Sequence, residues 1–166
     1  MFKLKSISKE SIPAAFERVD RYRKMNEPND AASICYDILN ADPGNQKALI
    51  TLLLALSEQF VKRLYPAYTK AISILAQLTD DYSKKYYEGV IYERRARALI
   101  ERYRFGTGKM AYGWLRKALD AYEKAIQLSP PQNEDAIMRW NACARTIMQN
   151  PELEAEPQAF DEQMLE

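Results

Sequence analysis

The segment from Trp114 to Pro130 reads WLRKALDAYEKAIQLSP and has the clearest helical pattern in the chain. Its apolar residues recur at intervals of three and four, and charged residues fill the positions between them. This spacing places one apolar stripe along a helix, with a solvated face opposite. The prolines Pro130 and Pro131 end the pattern, because proline lacks an amide hydrogen and restricts the residue before it. The segment therefore predicts an amphipathic helix with a sharp end.

Two earlier segments share this layout. The residues Ala118, Tyr122 and Ala125 have counterparts at the same spacing in two further triplets: Ala31, Cys35, Ile38 and Ala71, Leu75, Leu78. Pro43 follows the first triplet as Pro130 follows the last, whereas the middle copy lacks a closing proline. Such self-similarity indicates an array of similar helical units. The triplets are 40 and 47 residues apart, so insertions must lengthen helices or loops between them.

These triplets resemble the tetratricopeptide repeat, a helix pair of about 34 residues with a small residue, an aromatic residue and alanine in its second helix. Pro130 matches the proline of the following turn, while Gly89 and Tyr92 match a glycine and a tyrosine of the first helix. The resemblance implies an all-α fold: a right-handed α-solenoid of antiparallel helix pairs with about seven helices. Three degenerate repeats and a capping helix would then occupy residues 1–150.

The apolar periods and the prolines place the expected helices at residues 10–25, 30–41, 46–63, 67–80, 82–104, 113–128 and 133–149. Residues 151–166 carry six carboxylates and no basic residue. Such a segment cannot bury enough apolar surface to order itself, so we expect a disordered acidic tail.

Composition argues against catalysis. The chain contains no histidine, which removes the commonest general base and the commonest metal ligand. The two cysteines, Cys35 and Cys143, lie far apart in helical patterns and suit reduced, buried thiols. Residues 106–109, GTGK, lack the spacing of a phosphate-binding loop and predict a turn between helices. We therefore expect no catalytic residue, no metal site and no cofactor.

A basic cluster lies between Lys84 and Lys117. This segment contains ten basic and only three acidic residues, with tyrosines interleaved among them. Arginine and tyrosine are the residues that dominate protein interfaces. The cluster therefore indicates binding of an acidic peptide or protein surface. Two alternatives stay open: a solvated helix whose tyrosines pack on its neighbours, and a nucleic-acid accessory protein.

The resemblance also implies a partner-binding groove, because the first helix of each tetratricopeptide pair lines the concave face. Carried over unit by unit, together with one arginine of the basic cluster, the groove positions are Phe16, Ile50, Leu54, Tyr86, Val90, Arg94, Arg97, Asn141 and Arg145. This implies a non-catalytic scaffold that binds a protein or peptide partner through a Tyr/Arg-rich groove, and the basic cluster favours an acidic partner. The remaining alternative is a structural subunit of a homo-oligomer.

The N-terminal residues favour a cytoplasmic location. The stretch MFKLKSISKESIPAAF lacks the continuous apolar run of a secretory signal. The longest apolar run in the chain, residues 48–56, is about half the length needed to cross a bilayer. The near-neutral net charge of +1 does not demand nucleic acid or anionic lipid as a partner.

Overall fold

A computed structural model describes residues 2–102 and 107–153, except for the side chains of residues 63 and 64. Within these ranges the chain is all-helical and forms α1 (Ile12–Lys24), α2 (Pro28–Ala41), α3 (Gln46–Ser57), α4 (Phe60–Leu75), α5 (Asp81–Glu101), α6 (Thr107–Leu128) and α7 (Asp135–Gln149). The predicted helical class and the predicted seven helices are confirmed. None of the helices in this part of the chain is long and apolar enough to cross a membrane.

Local sequence fixes several of the helix ends. The side chain of Asn45 accepts a hydrogen bond from the amide of Ala48 at 2.9 Å and caps α3. Asp80 does the same for α5 through the amide of Ser83, at 2.8 Å. These contacts satisfy amides that have no partner in the first helical turn. After α1, Asn26 adopts a positive φ of 58°, a conformation that asparagine tolerates better than most residues.

The third and fourth helices differ from their predicted bounds. The sequence predicts a helix over 46–63 and another over 67–80. Instead α3 ends at Ser57, and α4 starts at Phe60 with Pro66 inside it. Proline removes one backbone hydrogen bond from the helix, but Phe60 and Ala67 are buried and hold α4 on both sides of it.

The sixth helix begins earlier than predicted. The expected turn at residues 106–109 is wrong from Thr107 onward, because α6 includes Thr107, Gly108 and Lys109. A Cβ atom on Gly108 would lie 3.2 Å from the carbonyl oxygen of Glu152. The glycine thus serves the close approach of the C-terminal segment rather than a turn.

The packed part of the chain extends beyond the predicted boundary at residue 150. Residues Pro151–Leu153 form a short 3-10 helix, and the side chain of Leu153 is buried in the C-terminal core. The rest of the predicted acidic tail, residues 154–166, lies outside the described residues.

The helices pack in chain order. Each contacts mainly the helix before and after it, and α3 also contacts α5. The core has two clusters: one is built chiefly by α1 to α4, and the other by α5, α6 and α7. Tyr87 and Tyr92 of α5 pack against both. Helix α5 is therefore the element that joins the two halves of the molecule.

Candidate partner-binding surface

Glu58, directly after α3, links three odd-numbered helices. The guanidinium of Arg23 on α1 donates to Oε1 of Glu58 from Nη2 at 2.6 Å and from Nε at 3.2 Å. Arg94 on α5 approaches the same oxygen at 3.6 Å. Nη1 of Arg94 also donates to the carbonyl oxygen of Leu54 at 2.9 Å and to the hydroxyl of Ser57 at 2.5 Å. These contacts tie α1, α3 and α5 together along one side of the molecule.

Arg94 is mostly withdrawn from water, and its side chain is only 20% exposed. Desolvation lowers the pKa of Arg94 from its usual value, while the carboxylate of Glu58 opposes that shift. Arginine stays charged at physiological pH even after such a shift. Arg94 is therefore a structural cation whose donors are used within the protein.

Glu93 forms a second polar centre, where α5, α6 and α7 meet. This carboxylate is 1% exposed. It accepts a hydrogen bond from the hydroxyl of Tyr122 at 2.7 Å, and it pairs with Nη2 of Arg97 at 2.7 Å. Nη1 of Arg139 lies 3.3 Å from both carboxylate oxygens. A buried carboxylate is costly unless it is paired and hydrogen-bonded, and these three side chains meet that requirement.

Tyr122 is held tightly in this centre. Burial, followed by the charge of Glu93, raises the pKa of the Tyr122 hydroxyl far above its usual range, so the group remains a donor. Across the helix interface, a Cβ atom on Gly89 would lie 2.5 Å from Cε1 of the Tyr122 ring. Glycine at this position therefore permits the close contact between α5 and α6.

Among the residues that the structure describes, charge is not balanced around Glu93. One buried carboxylate serves two arginines, and the Arg97 side chain is 52% exposed while that of Arg139 is 35% exposed. Each guanidinium has five N–H donors, so donors remain for a partner. Tyr86 interacts with Arg139, and its ring lies 5.9 Å from that of Tyr122. We call Tyr86, Arg97 and Arg139 the arginine face.

No family model, curated protein or solved structure matches this chain. A function has therefore to be argued from the geometry of its own residues.

The structure places some of the predicted groove residues in the core. Phe16 is 7% exposed and Val90 is 0% exposed, so neither offers a surface to a partner. Ile50 and Leu54 are partly buried and pack against the two core clusters. Their apolar character serves helix packing because α3 is covered by its neighbours, so these two predicted groove positions are largely internal.

The α7 positions of the predicted groove do not join the arginine face. Asn141 is partly buried and Arg145 is exposed. Both lie about 120° or more around the helix from Arg139, because an α-helix turns about 100° per residue. It is Arg139, which the resemblance did not select, that reaches Glu93. The arginine face and the groove implied by the resemblance therefore use different faces of α7.

Three residues that organise this region, Glu58, Glu93 and Arg139, were not singled out from the sequence. The spacing of Glu93 and Arg97 by four residues is a usable signal for a pair on one helix face. No local sequence pattern predicts the contact of Arg139 with Glu93, because the two residues are 46 positions apart in the chain. Glu58 likewise meets Arg23 across 35 residues. Such pairs depend on helix packing and become visible only in the folded chain.

A cavity of about 520 Å³ lies at another edge of the molecule, near the turns that follow α1 and α3. Its charged lining comprises the carboxylates of Glu27, Asp30, Glu58 and Glu101 and one lysine, Lys62. This lining would repel an acidic partner. The arginine face is therefore the better candidate for the predicted interaction.

Proposed function

We propose that this protein is a non-catalytic scaffold that binds an acidic segment of a partner protein through the arginine face. The observation that carries the proposal is the shared carboxylate of Glu93, which leaves Arg97 and Arg139 with a net positive charge and accessible donors. Guanidinium groups bind carboxylates with two parallel hydrogen bonds, and held in place they lose little freedom on binding.

The proposal includes an architecture, a right-handed α-solenoid similar to the tetratricopeptide array. Packing of the helices in chain order supports it, since each unit of a solenoid contacts mainly its neighbours. The triplets that carry the resemblance also fit: eight of their nine residues are buried, and only Leu75 is partly exposed. The contact of Gly89 with Tyr122 supports pairing of α5 with α6 as one unit.

Capture experiments with matched variants test this function. Full-length protein, Arg97→Gln and Arg145→Gln would be immobilised equally, and proteins bound from an extract would be quantified by mass spectrometry. Both variants remove one exposed arginine charge, but only Arg97 belongs to the arginine face. We expect Arg97→Gln to reduce a specific set of acidic partners about tenfold, the effect of losing a charge-assisted hydrogen bond. Equal retention by both variants would refute the proposal.

The nucleic-acid alternative has weaker support. Within the basic cluster, Lys84 pairs with Asp81 and Lys85 with Glu88, at 3.1 and 3.0 Å. Arg94 and Arg97 are paired as well. These contacts reduce the positive charge available to a phosphate backbone. A steep, linear loss of affinity for single-stranded DNA with the logarithm of salt concentration would favour this alternative.

A further inference from the structure

Arg95, on the other side of α5, has an unusual environment. Its Cζ atom lies 4.1 Å from the centre of the Tyr68 ring and 4.0 Å from that of Trp114. The two ring centres are 5.9 Å apart, and their planes meet at 67°. The guanidinium therefore sits in a corner formed by one ring from α4 and one from α6. We call Tyr68, Arg95 and Trp114 the aromatic corner.

Arg95 has no counter-ion among the described residues. Its Nε is buried without a hydrogen-bond partner, and it is the one such side-chain atom in that part of the chain. Within the same ranges, no carboxylate comes within 4.0 Å of Arg95, whereas Arg23, Arg94, Arg97 and Arg139 all have one. The buried Nε donor thus lacks the hydrogen bond that buried polar groups normally make.

The rings compensate this charge only in part. A cation over an aromatic face gains about 0.5 to 2 kcal/mol, which is weaker than a charge-assisted hydrogen bond to a carboxylate. The rings do, however, fix the orientation of the guanidinium plane, and Arg95 as a whole remains partly exposed. A donor group that is oriented before binding loses little entropy when it meets its ligand. The aromatic corner thus holds a cation in a fixed orientation that suits an oxyanion.

A cleft of about 260 Å³ between α5 and α6 lies beside Trp114 and is lined by other residues than those of the aromatic corner. Tyr92 lines it and contacts Trp114, with the ring centres 5.4 Å apart. Lys117 also lines it and holds its ammonium 4.4 Å above a Trp114 ring. The carboxylates of Glu88 and Asp120 and the ammonium groups of Lys85 and Lys124 give the rest of the lining a mixed charge. Lys117 and Tyr92 therefore both contact Trp114, the ring on which Arg95 also rests.

We propose that the aromatic corner, with Lys117, binds a carboxylate of an acidic peptide segment. A peptide fits better than nucleic acid because Arg95 already covers the ring faces on which bases would stack. In addition, the neighbouring cleft alternates the cations of Lys85, Lys117 and Lys124 with the carboxylates of Glu88 and Asp120, and such interrupted positive charge suits a separate carboxylate better than a continuous row of phosphates. This site is separate from the arginine face and does not depend on the function proposed for that surface.

The test uses a fluorescein-labelled hexaglutamate peptide and the full chain, with binding measured by fluorescence anisotropy at low and physiological salt. The variants are Arg95→Met, which removes the charge, and Arg95→Lys, which keeps the charge but loses the planar fork. Arg116→Met is the matched control, because Arg116 is an exposed arginine of α6. Circular dichroism and thermal melting would first establish that each variant is folded.

We expect Arg95→Met to weaken hexaglutamate binding about tenfold and Arg95→Lys to weaken it about threefold or more, because only arginine offers two parallel donors. Arg116→Met should change the affinity less than about twofold, as expected for a screened surface charge. Equal losses in Arg95→Met and Arg116→Met would overturn the proposal, since they would indicate general charge attraction.

Two further arms separate this site from other binding modes. If Arg97→Gln weakens hexaglutamate binding more than Arg95→Met does, the peptide occupies the arginine face and the aromatic corner is not its site. If a labelled oligothymidylate binds more tightly than hexaglutamate and loses as much affinity in Arg95→Met, the ligand class is wrong. Selective loss of hexaglutamate binding supports the proposal.

Discussion

Arg94 and Arg95 are neighbours in the sequence but have opposite environments. Arg94 donates to a backbone carbonyl and a hydroxyl and pairs with Glu58. Arg95 rests on two aromatic rings and has a buried donor without a partner among the described residues. The helical turn of about 100° per residue directs the two side chains toward different neighbours. Two adjacent arginines in a sequence can therefore have quite different environments in the folded chain.

Three arginines of the basic cluster, all on α5, have different environments. Arg94 makes its polar contacts within the protein. Arg97 shares the buried carboxylate of Glu93 with Arg139 but remains half exposed. Arg95 is held by rings. Substitution of Arg94 should therefore lower the stability of the fold, whereas substitution of Arg95 should weaken ligand binding. Substitutions on each side of α5 test this division.

The largest effect is expected at Glu93. Replacing it with glutamine keeps the shape but removes the charge that Arg97 and Arg139 share, and it weakens the acceptor of Tyr122. Because Tyr122, Arg97 and Arg139 all lose a charged acceptor, and a hydrogen bond to a charged group is worth about 1.5 to 3 kcal/mol, we expect a loss of about 3 to 5 kcal/mol in the free energy of unfolding. Urea denaturation measures it, and Glu123→Gln on the exposed face of α6 is the control. Similar losses in both variants would contradict a central role for Glu93.

Arg94→Met should have the next largest effect, about 2 to 3 kcal/mol, because it leaves the Leu54 carbonyl, the Ser57 hydroxyl and Glu58 with one partner fewer. A double-mutant cycle with Glu58→Gln separates the ion pair from the other contacts. We expect the two losses to be non-additive, since the residues share one network. Additive losses would show that Arg94 acts independently of Glu58.

The alanines of α6 test the packing that positions Glu93 and Tyr122. Ala118 and Ala125 are both 0% exposed. Leucine at either position should overpack the helix interface and cost about 1 to 3 kcal/mol. Ala14→Leu, at an exposed position of α1, is the matched control. Unchanged thermal stability in both core variants would remove the packing register on which the resemblance to the tetratricopeptide repeat rests.

The sequence predicted the features that depend on local periodicity. Apolar spacing gave the seven helices, and the triplets identified residues such as Ala118 and Tyr122 that are buried. It failed where packing overrides local signals: Pro66 lies inside α4, and Gly108 lies inside α6 against the C-terminal segment.

The candidate sites were less predictable than the helices. The sequence shows the basic cluster, but the residues that contact its arginines come from distant helices. Glu58 reaches Arg94 from the end of α3, while Tyr68 and Trp114 reach Arg95 from α4 and α6. A single sequence gives no distance between such residues, so the roles of adjacent arginines could not be separated.

The smallest effect on stability is expected for Arg95→Met, and this gives the sharpest contrast with Arg94→Met. The variant loses two cation–π contacts, each worth about 0.5 to 2 kcal/mol. It also removes the unpaired buried Nε, whose desolvation opposes folding by about 1 to 3 kcal/mol. Methionine can occupy the aromatic corner and make favourable contacts between its sulfur and the rings. These terms nearly cancel, so the free energy of unfolding should change by less than about 1 kcal/mol.

Urea denaturation of Arg94→Met and Arg95→Met under identical conditions measures the contrast. A loss at Arg95 as large as that at Arg94 would make the aromatic corner a structural element that needs its cation. A near-zero change at Arg95, together with weaker hexaglutamate binding, would instead separate the two arginines by role. An arginine whose charge does not contribute to stability is better explained by a ligand outside the chain than by the fold itself.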